Sequence, residues 1–245
     1  MGKTKKEIEN LFSVSKNISD KNYSSDQIKD LPKPVKRYFQ YALQENQPYI
    51  SYARLKHGGQ FRTSEKWLPI KGKEYFTSEK PGIIWYAKIP FVSAKDMYFK
   101  GKGNLVIKLL SFIKVVDAKG KEIDQGELLR WLSETTIFPT ALLPSKNLKW
   151  EPIDENSAKV IFSDYNQTVD GTFFFNDLGQ ISHFKAKRYK DTTLEDWTCS
   201  YKDYREVAEM MIPFYFEVKW NLVSGDFCYA KFNIEIIDYN TPLKY

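Results

Sequence analysis

The sequence predicts an α+β fold. A large, strongly curved antiparallel sheet, a half-barrel, carries one internal helix against its concave face and short helices at its amino terminus. Three observations carry that expectation. Aromatic residues make up 16% of the 245-residue chain, seventeen Phe, sixteen Tyr and six Trp, and such side chains suit pleated surfaces. About nine to eleven segments alternate apolar with polar residues, and a single internal stretch has helical spacing. An antiparallel sheet of that size must curl, split or close.

The elements follow in order. Ile8, Leu11 and Phe12 share one face of a short amphipathic helix over residues 5–18. Ser24 offers a helix cap with Gln27 as its capping-box partner. Pro34 suits the first turn of a second helix, whose stripe is Val35, Tyr38, Phe39 and Ala42. These helices make residues 1–48 a helical segment packed on a main β domain, residues 49–245.

Strands then begin. Tyr49–Lys56 and Gly59–Thr63 read as one or two strands, separated or bulged at Gly58-Gly59. Trp67–Ile70 and Lys73–Thr77 flank an expected turn at Lys71-Gly72, and Gly82–Ile89 follows. Asp96–Leu110 reads as one long strand bent at Gly101 and Gly103, and Ile113–Asp117 comes next. Leu128, Trp131, Leu132 and Thr135 then recur at helical spacing over 125–136, before Pro139. The rest is a meander: Ala158–Asp164, Thr168–Phe175, Ile181–Tyr189, Glu195–Tyr204, Pro213–Val223 and Phe227–Asp238.

Composition narrows the function classes. Hydrophobic residues at 42% and charged residues at 28% exclude a disordered chain. No run of about 18 apolar residues predicts a spanning helix. The start, M-G-K-T-K-K-E-I, has no secretory segment, and Lys6 breaks the myristoylation pattern. With only Cys199 and Cys228, both on apolar strand faces, the expectation is a cytoplasmic protein with buried free thiols. Residues 1–120 hold 23 Lys and Arg against 11 Asp and Glu, whereas 121–245 hold 14 against 20. That asymmetry keeps peripheral membrane contact through the basic half open. Scattering of the charges, with no run of five, favours an ordinary solvated surface. No feature fixes an oligomeric state.

No motif names a reaction. His57 and His183 are the only histidines and neither has a His or Cys neighbour, so no metal site is expected. There is no nucleophile elbow and no phosphate loop, and Gly101-Lys102-Gly103 reads as a bend, so no cofactor is expected. Aromatics interleaved with lysine, as in Tyr98-Phe99-Lys100, lack any nucleic-acid module around them, and no nucleic-acid partner is expected. The most suggestive group is Glu127, Arg130 and Glu134 on one side of the internal helix. An exposed salt-bridge ladder is the plain interpretation. On a helix flanked by apolar runs, that side instead faces a cavity, where a carboxylate would hold its proton and serve as acid or base. Asp96, Tyr98, His57 and Arg62 add polar candidates, and Trp67, Trp85, Trp150 and Trp220 add apolar ones, each of which is core by default.

Several motifs carry a resemblance over the chain from residue 31 to about 240. They are Leu31-Pro32-x-Pro34-Val35-x-Arg37-Tyr38, Arg54-Leu55-x-His57-x-Gly59-x-Phe61-Arg62, Asp96-x-Tyr98-x-x-Gly101-x-Gly103 and Gly126-Glu127-Leu128-x-Arg130-x-Leu132-x-Glu134. Trp67, Trp85-x-Ala87, Asp117-Ala118-x-Gly120, Pro139-x-Ala141-Leu142-Leu143 and Trp150 add to them, and Ile212-Pro213, Glu217 and Trp220 extend the set into the C-terminal part. Together they resemble an uncharacterised bacterial family, a domain of unknown function. The resemblance implies a bacterial protein and no established activity. Many relatives carry N-terminal membrane segments, for which this sequence has no counterpart. The expected fold also resembles half-barrels of the lipoprotein-localisation type, which hold acyl chains against a helix. Fold does not fix function.

The leading expectation is binding of an apolar or amphiphilic, lipid-like small molecule beside the internal helix. Trp85, Trp131 and Trp150 would meet its apolar body, and His57, Arg62, Tyr98, Arg130 and Glu134 its polar end. The rival is a cofactor-independent enzyme with Glu134 or Asp96 as its acid or base. A third class is a partner-binding domain with a filled core.

Overall fold

Thirteen strands hydrogen-bond into a single antiparallel sheet in the computed structural model, which describes residues 3–245. Two meanders make it. The first comprises β1 (Tyr52–Phe61), β2 (Leu68–Thr77), β3 (Gly82–Ile89), β4 (Val92–Phe99), β5 (Lys102–Leu109) and β6 (Ile113–Ala118). The second comprises β7 (Leu148–Asp154), β8 (Ser157–Asp164), β9 (Gln167–Phe175), β10 (Ile181–Lys190), β11 (Thr193–Val207), β12 (Met210–Leu222) and β13 (Gly225–Tyr239). Pairing of β1 with β13 sews them together, so the sheet runs β6-β5-β4-β3-β2-β1-β13-β12-β11-β10-β9-β8-β7 and stays open at β6 and β7.

Three helices complete the architecture. The helix α1 (Lys3–Ser13) lays Ile8, Leu11 and Phe12 on Tyr52, Tyr75 and Ile84 of one sheet face. Ser24 caps a 3-10 turn, Ser25–Ile28, in a capping box with Gln27, as the sequence predicts. The helix α2 (Lys33–Ala42) carries Pro34 in its first turn and buries Val35, Tyr38, Phe39 and Ala42 in the main core. The helix α3 (Lys121–Glu134) links the two edge strands and buries Leu128, Leu129, Trp131 and Leu132. Its acidic first turn suits the positive end of the helix dipole. Among the described residues no helix is long and apolar enough to cross a membrane.

Several boundaries differ from expectation for identifiable reasons. No turn lies at Lys71-Gly72: β2 runs straight through, because Gly72 is the site where the His57 ring crosses the strand. The stretch Asp96–Leu110 is two strands, parted by a tight turn in which Lys100 and Gly101 take positive φ. Gly103 is not a bend; the backbone of Ile123 and Asp124 packs against it where any Cβ would collide. The helix α3 therefore starts at Lys121, ahead of the expected 125, and ends at Glu134. Leu148–Asp154, at the open edge, has no expected counterpart. The early strand is continuous and regular through Gly58-Gly59; the bulge lies on its partner, where Glu235 of β13 is the extra residue opposite Lys56 and His57. Cys199 is buried and Cys228 half-buried, and both are free.

Candidate functional site

Arg130 is where the α3 face of the sheet becomes charged. Its guanidinium donates through Nε to Glu134 Oε1 at 2.6 Å, one turn along the helix, and through Nη1 to Asp96 Oδ2 on β4 at 2.8 Å. Through Nη2 it meets Glu74 on β2. The guanidinium lies 4.7 Å from the centre of the Trp85 ring, a cation–π position. Trp85 in turn donates its indole N–H to His57 Nε2 at 2.8 Å. Because Nε2 accepts, the neutral imidazole carries its proton on Nδ1, which has no hydrogen-bond partner. Burial and the nearby charge of Arg130 hold the His57 pKa down at about 4.

A second arginine extends the cluster. Arg188 on β10 donates to the Gly126 carbonyl at 3.1 Å and to Glu127 Oε1 at 3.3 Å. Its guanidinium lies 5.1 Å from the Trp197 ring centre and 5.8 Å from that of Trp220. Tyr229, the extra residue where β13 bulges against β12, accepts the Trp197 indole N–H at 2.9 Å. Four carboxyl groups, of Glu74, Asp96, Glu127 and Glu134, thus surround two guanidiniums in a nearly dry space. Full ionisation would leave two negative charges uncompensated, so protons are retained. Burial, reinforced by the charge of Asp96, pushes Glu127 up to about 8. Burial and the neighbouring Glu134 raise Glu74 well above the usual carboxylate range. Burial also raises Asp96, against the pull of Arg130 and Arg188. Two buried oxygens, Asp96 Oδ1 and Glu127 Oε2, have no hydrogen-bond partner. Chemically, the cluster can hold a proton near neutrality and accept hydrogen bonds from a donor brought to it. Among the described residues no group of His, Cys, Asp and Glu is placed to hold a metal ion.

The model of a family of unknown function, DUF6544, matches residues 21–232. The chain belongs to that family. No curated protein matches it. Among solved structures, this DUF6544 chain is similar to a LolA superfamily protein from Nitrosomonas europaea. The two share 8% identity and a TM-score of 0.47, over 85% of this chain and 92% of that one. It is also similar to a DUF1329 family protein from Desulfovibrio piger. Identity is again 8%, with a TM-score of 0.46, over 98% of this chain and 95% of that one.

Of the site residues expected in this DUF6544 chain, the fold brings His57, Trp85, Asp96, Glu127, Arg130 and Glu134 together. The other four lie elsewhere. Arg62 donates to the Cys228 carbonyl at 2.6 Å, its guanidinium between the rings of Trp67 and Phe227. Tyr98 is fully buried; its hydroxyl donates to Asp164 and accepts from Gln167, both at 2.8 Å. Trp131 is 1% exposed, packed on Phe138 and Phe162, and gives its indole N–H to the Thr77 carbonyl. Trp150 packs on Phe173 and donates to the Leu142 carbonyl. Glu74, Arg188, Trp197 and Tyr229 belong to the cluster without having been expected there. A charged residue on the apolar side of a strand was the available signal for Glu74, which alternates with Ile70, Gly72 and Phe76.

Proposed function

We propose that the protein binds an amphiphilic small molecule on the α3 face of a strongly bent sheet. Two sets of contacts support the bend. The strands β5 and β10 stand eight places apart in the sheet order, a span of ~38 Å if the sheet were flat. Yet Gly103 on β5 donates to Asp124, while Arg188 on β10 donates to Gly126, two residues further along one helix. Tyr98 on β4 likewise reaches Asp164 at the end of β8. A half-barrel with α3 on its concave side accounts for both.

The observation that carries the functional reading is the pair of dehydrated, partnerless oxygens, Asp96 Oδ1 and Glu127 Oε2. Beside them the partly exposed Phe61, Ile89, Ala94 and Phe232 pack on Ile70, Trp85 and Ala87. An amphiphile with a hydroxyl head matches this arrangement: the hydroxyl donates to Asp96 Oδ1 and accepts a hydrogen bond from the proton held on Glu127 Oε2, and its hydrocarbon lies on Trp85 and Phe232. Both oxygens are covered, so the ligand reaches them by displacing side chains of this apolar rim. Trp131 and Trp150 have no part in this reading, their polar atoms and ring faces being already used.

Native mass spectrometry of gently purified protein, followed by loading with a long-chain alkylamine, the matching alcohol and the matching fatty acid, tests the reading. The alcohol should bind in preference to the ammonium and the anion, and Asp96→Asn or Glu127→Leu should weaken binding about tenfold. Failure to retain or load any amphiphile, or preference for the fatty acid, overturns it. Acid–base catalysis at the same cluster is the second reading. It is favoured by the elevated Glu127, which becomes its candidate group in place of Glu134 or Asp96.

A further inference from the structure

We infer that the tips of the β3–β4 and β5–β6 hairpins, with the lysines behind them, dock this protein on an anionic lipid bilayer. The apolar half of the surface is concentrated. Phe91 and Phe112 are 76% and 71% exposed, and Leu109, Leu110, Ile113 and Val115 are exposed around them. A backbone hydrogen bond of 2.7 Å, from Leu110 N–H to the Phe91 carbonyl, ties the two tips into one surface. Folding does not explain these residues. Phe91 and Leu110 take positive φ, 64° and 51°, in turns where Gly, Asn or Asp would fit with less strain. Large apolar side chains kept in water on strained turns point to an apolar partner.

The charged half lies directly behind. Strand pairing places Lys71 opposite Lys88, Lys88 opposite Ser93, Ser93 opposite Lys108 and Lys108 opposite Lys114. That is a row of four lysines across five strands, on the face opposite α3. Like charges facing one another across strands are destabilising. Lys114 has a carboxylate partner in Asp117; Lys71, Lys88 and Lys108 have no ion-pair partner among the described residues. One step further back, Lys73 faces Lys56. Partial burial, then the charges of Lys56, Lys244 and Lys88, lower its affinity for its proton. These lysines line an open groove of about 1050 Å³ whose acidic groups, Glu7 and Asp117, are engaged by Lys95 and Lys114. An anionic bilayer satisfies both halves at once: acyl chains take the tips and headgroups meet the lysines. A polyanion such as nucleic acid would use the lysines and leave Phe91 and Phe112 in water.

Vesicle flotation of the full chain tests the inference, with phosphatidylcholine alone and phosphatidylcholine mixed with phosphatidylglycerol. The protein should float with the mixed vesicles at low ionic strength and be released as salt rises towards ~1 M. Paired Phe91→Ser and Phe112→Ser should weaken binding at least about tenfold without moving the thermal midpoint, the sites being exposed. Lys88→Ser with Lys108→Ser should weaken it similarly and flatten the salt dependence. No binding to mixed vesicles, equal binding to phosphatidylcholine alone, or unchanged binding by both variants overturns it. So does tighter binding of a single-stranded oligonucleotide. A concentration-dependent dimer that the Phe variant abolishes would instead assign the tips to a second copy of the chain, and also overturns it.

Discussion

At Gly72 the missing side chain is explained on the neighbouring strand. A Cβ there would stand 2.0 Å from His57 Nε2, because the imidazole crosses β2 to accept the Trp85 indole N–H on β3. Local turn propensity suggests a reversal at Lys71-Gly72, but the glycine answers to its paired residue, His57. A cross-strand cause of that kind leaves no local signal. Gly72→Ala should lower stability by about 1–3 kcal/mol, the usual range for overfilling a packed site. In a His57→Ala background the same change should cost far less, since the ring that would collide is gone. Chemical denaturation of the four proteins measures the coupling, and strictly additive losses would show that the ring does not lie over Gly72.

The helix α3 shows what the pattern of one element can and cannot convey. Its apolar stripe, Leu128, Trp131 and Leu132, was legible and is buried. Its polar side looked like a ladder or a cavity lining. It is no exposed ladder: Asp124, Glu127 and Arg130 are themselves buried, against Glu74, Asp96, Gly103 and Arg188 from four different strands. Those partners are remote in sequence, so periodicity could mark Arg130 and Glu134 but not the groups that desolvate them. The burial has a measurable consequence. Between about 4.5 and about 8 the folded chain keeps a proton on Glu127 that the unfolded chain has released, so this group makes stability fall as pH rises. His57 opposes it lower down. Held neutral to about 4, it contributes stability that is lost as pH falls from 6.5 towards that value. His57 opposes the carboxyls of the cluster between about 4.5 and 6.5, and the fall from Glu127 is unopposed between 6.5 and about 8. Thermal midpoints should decline across that upper window in the wild type and less steeply in Glu127→Gln, where the raised Glu74 and Asp96 still hold protons. An identical decline in the variant would place the proton on another group.

For the whole molecule, the long-range pairings decide what the strands become. Alternation in Phe214–Leu222 and Cys228–Ile234 made the second meander readable, and both runs are strands. Nothing local says that β1 pairs with β13, and that seam alone turns two meanders into one sheet of thirteen strands. Within the first meander, pairing from β2 to β6 gathers scattered lysines into a row that no run in the sequence displays. The seam also sets the length of the crossing from β6 to β7. A 14-residue α3 extends only ~21 Å yet meets both β5 and β10 within one turn, the observation behind the proposed wrap of the sheet round it. Spin labels on exposed Lys102→Cys of β5 and Lys187→Cys of β10, in a Cys228→Ser background, measure that wrap directly. Cys199 is buried and should stay unlabelled. Pulsed dipolar spectroscopy should give a separation well below the ~38 Å of eight flat strand intervals. A distance at or beyond that value would mean an open, flat sheet, and the proposed concave binding face would be lost with the bend.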